Sequence, residues 1–374
     1  MRIDNPLALG YHISADSRGR AAEHEPKRGE CKMKKIFSLL LALLLLAVLL
    51  TACGKTQEPL PTPVPETPAP TPEPAPATPA PTPETPDFDP AELHPALWKV
   101  TDGEGHTLYL FGTIHVGDGR SPAVLEKVAP ILLDCDALAV EFDLVAYEND
   151  LNAVMADYQQ FVYADGTTVK DHMPEELYAR CAELLGEIGA YSPILDYYNL
   201  GMWSQLTEQA ALMTRSDLDP EFAMDSLLIH LAYDHEIPVR DVESASFQMG
   251  LLNSFSDELA LLMIEETLNS LDEFGESIDE LYSAWLAGDT DAILAMNESE
   301  EGTEDYTEEQ LAMIEDYNRA MLDDRNLGMA ETAKGYLAAG DTVFFAVGAG
   351  HMVGDMGLVQ LLTDAGFTVE RVDY

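Results

Sequence analysis

The sequence predicts a mixed α/β (α+β) fold. Its central sheet takes strands from both ends of the folded part, and a large helical insertion lies between them. Three observations carry this reading. The apolar, strand-type run Leu108-Tyr-Leu-Phe111 ends in Gly112-Thr113-Ile114-His115. A second run near the other end, Val343-Phe-Phe-Ala-Val347, ends in Gly348-Ala349-Gly350-His351. The long stretch between them is dominated by helical spacing. Each G-x-x-H is followed by a helical pattern, so each histidine is expected where a strand gives way to a helix. That is the edge at which open α/β sheets bind ligands.

The elements follow in order. Trp98-Lys-Val100, the polar turn Asp102-Gly-Glu-Gly105 and Thr107–Phe111 read as a hairpin. From Pro122 to Asp134, apolar residues at Val124, Leu125, Val128, Ile131 and Leu132 have helical spacing, with Ser121 as the expected N-cap and Pro122 at N1. Ala137–Val140 is the next strand and ends on Glu141, so a parallel crossover is expected. Residues 145–235 read as mostly helical. One start is marked by Asp219 as cap, Pro220 at N1, and Phe222, Asp225, Leu228, Ile229 and Ala232 behind them. Ile237–Val242 is a short strand ending at Glu243, and residues 257–338 are helical again, with Gly288 stopping one helix. The acidic run Glu298–Glu309 is expected as a solvated loop or exposed helix start. Thr342–Val347, the helix Leu358–Thr363 and the strand Phe367–Val372 close the chain.

Upstream of this domain the sequence has a different character. Met33-Lys34-Lys35 is a short basic start, Ile36 to Leu50 is an apolar run, and Leu50-Thr51-Ala52-Cys53-Gly54 resembles a bacterial lipobox. The run suits a signal h-region and is short for a membrane span. We therefore expect a leader over 1–53, with residues 1–32 preceding the functional start at Met33, and Cys53 as the lipidated first residue. The expected location is the extracytoplasmic face of the cell membrane, reached through the lipid. A Pro/Thr/Glu-rich spacer follows over 54–96. Fourteen of the chain's 23 prolines fall between Pro59 and Pro90, a composition that favours extended polyproline structure over a packed core. The domain then covers 97–374.

Beyond Cys53 the chain has 12 Lys and Arg against 62 Asp and Glu. Phosphate backbones need cations to offset them, so nucleic acid is excluded as a partner class. Only Cys135 and Cys181 lie in the domain, too few for a disulfide framework. The residues at strand ends that can carry chemistry are His115, Glu141, Glu243 and His351. Two imidazoles with one or two carboxylates match a divalent-metal donor set. Gly112, Gly348 and Gly350 let the backbone turn sharply and approach a ligand. No Gly-rich phosphate loop, His-Glu-x-x-His motif or nucleophile elbow is present.

These residues also form a family pattern. Leu97-Trp-Lys-Val100, Leu110-Phe-Gly-Thr-Ile-His-Val-Gly-Asp118 and Val140-Glu141-Phe-Asp143 resemble the opening of the TraB/GumN family, which is related to the Tiki proteins. The resemblance continues through Asp219, Asp225, Val242-Glu243-Ser244 and Gln248. It resumes at Asp324-Arg325-Asn326-Leu-Gly-Met329 and Ala346-Val-Gly-Ala-Gly-His-Met-Val-Gly354, and ends at Ala365-Gly-Phe-Thr-Val369. It spans 97–374. Val242-Glu-Ser stands where the family often has Leu-Glu-Thr, and Ala349-Gly-His-Met-Val-Gly where it has Ala-Ala-His-Leu-Pro-Gly. Neither departure removes a polar functional residue.

The resemblance implies a TraB/Tiki/erythromycin-esterase-like fold and a functional set of His115, Glu141, Arg325 and His351. A metal is expected on His115 and His351, with Glu141 either ligating it or serving as general base on its water, Arg325 stabilising an oxyanion or holding a substrate carboxylate, and Glu243, Gln248 and Asn326 at the substrate. Tiki-type relatives act as metal-dependent peptidases, so a divalent ion (Mn, Co or Zn) and a peptide or small-molecule substrate are implied. The leading expectation is a surface-anchored, metal-dependent, peptidase-like hydrolase. Two alternatives come with the same fold: a lipoprotein that sequesters a peptide pheromone or haem without turnover, and an esterase-type hydrolase.

Overall fold

The computed structural model describes residues 88–298 and 306–374. The leader with Cys53, the spacer as far as residue 87 and the acidic stretch 299–305 lie outside the described residues. Packing starts upstream of Leu97. Asp89 caps a short 3₁₀ turn at Pro90–Glu92, Leu93 is buried, and its carbonyl accepts from Lys127 Nζ at 2.7 Å.

Six strands form one sheet: β1 (Leu97–Thr101), β2 (Thr107–Thr113), β3 (Ala137–Val140), β4 (Val239–Asp241), β5 (Val343–Gly348) and β6 (Thr368–Arg371), in the order β4-β3-β5-β2-β1-β6. β1 and β2 make the expected hairpin, Leu97 opposite Phe111 and Thr101 opposite Thr107. Asp102 Oδ1 closes its turn by accepting from the amides of Glu104 and His106 at 2.9 and 2.8 Å. β5 lies between β2 and β3 and runs parallel to both. β6 pairs antiparallel with β1 on one edge.

The helices, in chain order, are α1 (Ser121–Leu133), α2 (Leu144–Asn149), α3 (Leu151–Gln159), α4 (Val169–His172), α5 (Glu175–Glu187), α6 (Leu200–Arg215), α7 (Met224–Asp234), α8 (Ala245–Leu252), α9 (Asp257–Asn269), α10 (Leu271–Ala287), α11 (Thr290–Asn297), α12 (Glu308–Asn318), α13 (Asp324–Ala339) and α14 (Leu358–Asp364). Most of them, from α2 to α12, form the insertion between β3 and β5. The central strands β3 and β5 are buried on both faces, as their apolar runs require. Phe344 and Ala346 of β5 join the cluster that holds α1, α7 and the insertion. Val343, Phe345 and Val347 join the cluster with Leu337, Leu358 and Leu362 of α13 and α14.

Several boundaries move from their sequence-based positions, each for a local reason. Ser121 is the first residue of α1, not its cap. Asp118 Oδ1 accepts from Arg120 N at 2.8 Å and starts the turn, and Ser121 Oγ pairs with Tyr282 Oη at 3.0 Å. Asp219 caps a 3₁₀ turn, Pro220–Phe222, and α7 begins only at Met224. The β4 strand is three residues long, but Val242 N and Glu243 N still donate to Val140 O and Glu141 O at 2.9 and 2.8 Å. Arg325 lies inside a continuous helical run from Glu308 to Ala339. A π-helical turn, Arg319–Asp323, separates α12 from α13, and Arg325 is the second residue of α13. Such turns recur at functional sites because they re-aim side chains without breaking the helix. Cys135 and Cys181 are free and buried, and burial above all pushes their thiols up to about 12 and about 11.

Gly288 does stop α10, in the left-handed conformation at φ 62°. An added Cβ there would lie 2.1 Å from His94 O. Gly288→Ala therefore combines left-handed strain with a backbone collision, and a loss of more than about 2 kcal/mol in urea unfolding is expected.

Candidate active site

The sheet order explains why residues far apart in sequence meet. In the parallel trio β2, β5 and β3, Thr113 lies opposite Gly348 and Val140 opposite Ala346. His115, His351 and Glu141, each just past the end of its strand, therefore leave the sheet at one edge. The glycines make the approach possible. A Cβ on Gly112 would lie 3.0 Å from Ala349 Cα, so the second motif's turn sits directly on the first strand. A Cβ on Gly348 would lie 3.3 Å from Glu141 Oε1, 3.6 Å from His115 Nε2 and 3.6 Å from His351 Cδ2. Both imidazoles and the carboxylate thus surround one small volume above Gly348. Trp285 of α10 fixes this edge from outside, donating Nε1–H to Gly112 O at 2.7 Å.

Each imidazole is held through its Nδ1. His115 Nδ1 pairs with Asp225 Oδ2 at 2.7 Å, and Thr113 Oγ1 donates to Asp225 Oδ1 at 2.5 Å. His351 Nδ1 donates to Asn326 Oδ1 at 2.6 Å. His115 and His351 are 2% and 0% exposed, and neither Nε2 has a hydrogen-bond partner among the described residues. A buried polar atom without a partner costs free energy. Two such atoms, on imidazoles that meet above Gly348, are unusual for one site. His351 Nε2 lies 3.9 Å from Glu141 Oε1.

Glu141 is bonded through both of its oxygens. Its Oε1 accepts from Gly348 N at 2.9 Å, and its Oε2 from Gln248 Nε2 at 2.8 Å and Arg325 Nη2 at 2.7 Å. Arg325 uses its fork on two carboxylates, since Nε and Nη2 also reach Glu243 at 2.7–3.1 Å while Nη1 donates to Met321 O at 3.1 Å. Gln248 Nε2 bridges Glu141 and Glu243, reaching the latter at 2.9 Å. Glu243 occupies this position because the β4 ladder continues irregularly past Asp241. Glu243, Gln248 and Asn326, expected to face substrate, all hold other members of the site, and Asn326 also reaches the wall of an open groove beside it.

Burial sets the electrostatics. Burial would depress His115, but the charge and hydrogen bond of Asp225, with Glu141, raise its pKa above the ordinary 6.5. His351 has burial and then the Arg325 charge against its protonation, and is pushed down to about 3. Burial disfavours the Glu141 charge, yet Arg325 above all holds its carboxyl well below the usual carboxylate range. Glu141, Glu243 and Asp225 are three carboxylates against the single guanidinium of Arg325, a surplus of negative charge.

A cavity of about 50 Å³ adjoins the pair, with His115, His351, Trp285 and Gly348 on its wall. Beside it opens a larger groove of about 640 Å³. Among the described residues no group of three His, Cys, Asp or Glu side chains stands ready to hold a metal ion. The donor chemistry at the histidine pair nonetheless fits one. Two Nε2 atoms lack partners, each Nδ1 is fixed by a carboxylate or amide oxygen as in metal-ligating histidines, and the surrounding charge is negative.

The pattern of the TraB/PrgY/gumN family matches residues 96–371. The chain belongs to the TraB/PrgY/gumN family. Within reach of this TraB/PrgY/gumN chain is a "Metalloprotease TIKI homolog" of Amphimedon queenslandica, 23% identical over 317 residues, covering 74% of this chain and 61% of that relative. The "Uncharacterized protein YbaP" of Shigella flexneri and that of Escherichia coli (strain K12) are each 23% identical over 193 residues, 51% of this chain and 68% of theirs. The chain thus spans under two thirds of the length of the metalloprotease relative. No solved structure matches it.

The sequence reading assigned no role to Asp225, Thr113 or Trp285. Asp225 did carry a signal, as an acid on the apolar face of a helix, where a carboxylate remains only if something holds it. Thr113 and Trp285 carried none, because their roles depend on contacts between distant elements.

Proposed function

We propose that this TraB/PrgY/gumN protein is a metal-dependent hydrolase of peptide bonds, with a divalent ion held by His115 Nε2 and His351 Nε2 and by Glu141 as a third donor. The observation that carries the reading is the pair of buried, unpartnered Nε2 atoms on two imidazoles that meet above Gly348 at the sheet edge. When bound, such an ion polarises a carbonyl and lowers the pKa of a bound water. The chain's own residues prepare the place. Asp225 and Asn326 orient the imidazoles so that each Nε2 faces inward. Arg325 and Gln248 keep Glu141 ionised and stationary, which makes it a fixed anion and a weak base. Arg325, bound on all sides, acts here as a positioning residue. The likeness to a protein named as a metalloprotease supports the same reading.

One observation favours a second reading. The carboxylate at the pair, Glu141, is bonded through both oxygens and held ionised by Arg325, so it is a poor proton acceptor for hydrolysis. A protein that holds a peptide or haem without turnover needs none. Digestion of an unstructured peptide library by the purified chain, with Mn²⁺, Co²⁺ or Zn²⁺ and then with chelator, separates the two. Metal-dependent, chelator-reversible cleavage supports the hydrolase; retention of uncut peptide supports the binder.

The same geometry fixes a pH dependence. His115 must be neutral to offer a lone pair, and Asp225 raises its pKa. Metal affinity should therefore climb as pH rises through a value above 6.5. Asp225→Asn should move that midpoint downward in a titration followed by calorimetry.

The lipobox-like segment supports anchoring at the extracytoplasmic face through Cys53. Among the described residues no helix is long and apolar enough to cross a membrane. Cys53→Ala should move the protein from the membrane to the soluble fraction or leave its leader uncut.

A further inference from the structure

We infer that the open groove beside the histidine pair is the cleft through which substrate reaches it, and that it selects a peptide segment combining cationic and apolar side chains. This rests on the reading of the histidine pair as the reactive centre. Groove and cavity share Asn297, Leu322 and Gly350. These residues pack closely between the two, since a Cβ on Gly350 would lie 3.3 Å from Asn297 Nδ2 and 3.7 Å from Leu322 Cδ2. Behind it stands His351, fully buried, with an Nε2 that nothing in the described chain satisfies. Asn326, which holds that imidazole, lines the groove itself. The groove therefore borders the cavity that holds an unsatisfied polar atom.

Its walls say what kind of ligand enters. Leu311, Ile314, Leu322 and Met356 provide apolar surface, and Glu298, Glu315, Asp323 and Asp355 provide carboxylates. Among the described residues the one cation on the lining, Arg319, is already paired with Asp316 at 2.8 Å. Lysine and arginine side chains can lay their methylene stems on the apolar surface while their charged ends meet the carboxylates. An anionic or purely apolar peptide would leave those charges uncompensated. A volume of about 640 Å³ accommodates several residues of an extended chain.

The chain carries a formal charge of −47, so any cationic peptide feels attraction, and the test must localise it. The probes are a fluorescein-labelled peptide of four Ala-Leu-Lys repeats and its Ala-Leu-Glu counterpart, and anisotropy gives Kd for the full chain in detergent. The lysine peptide should bind at least about tenfold more tightly, less so at high salt. Glu315→Lys with Asp355→Lys, both exposed on the groove, should abolish that preference. Glu104→Lys with Asp134→Lys makes the same charge change at the opposite end of the sheet, before β2 and β3, and should leave the preference in place. Equal binding of the two peptides overturns the inference. So does an equal loss from both double variants, which would reduce the effect to net charge. Binding is read without turnover. Groove-dependent preference with no cleavage under any metal would keep the groove's selectivity and remove the hydrolase reading alone.

Discussion

Arg325→Met should destabilise the fold by about 3–5 kcal/mol and leave no activity. The guanidinium is almost fully buried and bridges two carboxylates, Glu141 and Glu243. Methionine fills similar space but strands both charges, and an uncompensated buried charge is what makes breaking such a network costly. Arg325→Lys keeps the charge and loses the planar fork that reaches both partners, so a smaller loss is expected. Urea unfolding near neutral pH reads both. The acid dependence has a definite sign. The folded-state pKa of Glu141 is lowered from 4.5. Its contribution to stability is therefore complete above that unfolded value and disappears as pH falls through the lower folded one. The gap between wild type and Arg325→Met should close as the solution is acidified.

His115→Ala and His351→Ala should each reduce metal affinity and metal-dependent cleavage by more than about a hundredfold, since even residues that only orient ligands are worth 10–100-fold. The double variant should be no worse than the poorer single, because the two imidazoles act as one unit. Stability separates the two positions. His115→Ala leaves the Asp225 carboxylate with Thr113 as its remaining side-chain partner, while His351→Ala leaves only the neutral amide of Asn326. The first should therefore unfold more readily than the second, by about 1–3 kcal/mol. Equal activity losses that simply multiply in the double variant would place the histidines in separate sites.

The parts of this arrangement that sequence displays are those governed by local pattern. The apolar runs of β2, β3 and β5, their Gly-bearing ends and the polar residue beyond each are period-and-punctuation signals, and His115, Glu141 and His351 were readable from them. The insertion of β5 between β2 and β3 was not. Pairing between strands more than two hundred residues apart has no local sequence signature, yet that pairing is what brings the three groups to one edge. Arg325 was recognisable as a residue, but nothing in the apolar spacing announces the π-helical turn at Arg319–Asp323 just before it. Glu243 illustrates a third case. Its strand was expected to run to Val242, and the ladder becomes irregular after Asp241, but two further backbone bonds to Val140 and Glu141 keep its carboxylate beside Arg325. The network of Gln248, Glu243 and Asn326 depends on side-chain contacts from three helices and a loop, and only folding assembles it.

The central claim is that two buried imidazole nitrogens, His115 Nε2 and His351 Nε2, share one divalent ion. An anomalous difference map from crystals of the chain soaked in Mn²⁺ or Co²⁺ tests it most directly. The account predicts a single strong peak above Gly348, about 2.0–2.2 Å from both Nε2 atoms with Glu141 adjoining, and its absence in His351→Ala crystals. A peak elsewhere on this acidic surface, or none at the histidine pair with either ion, would contradict it.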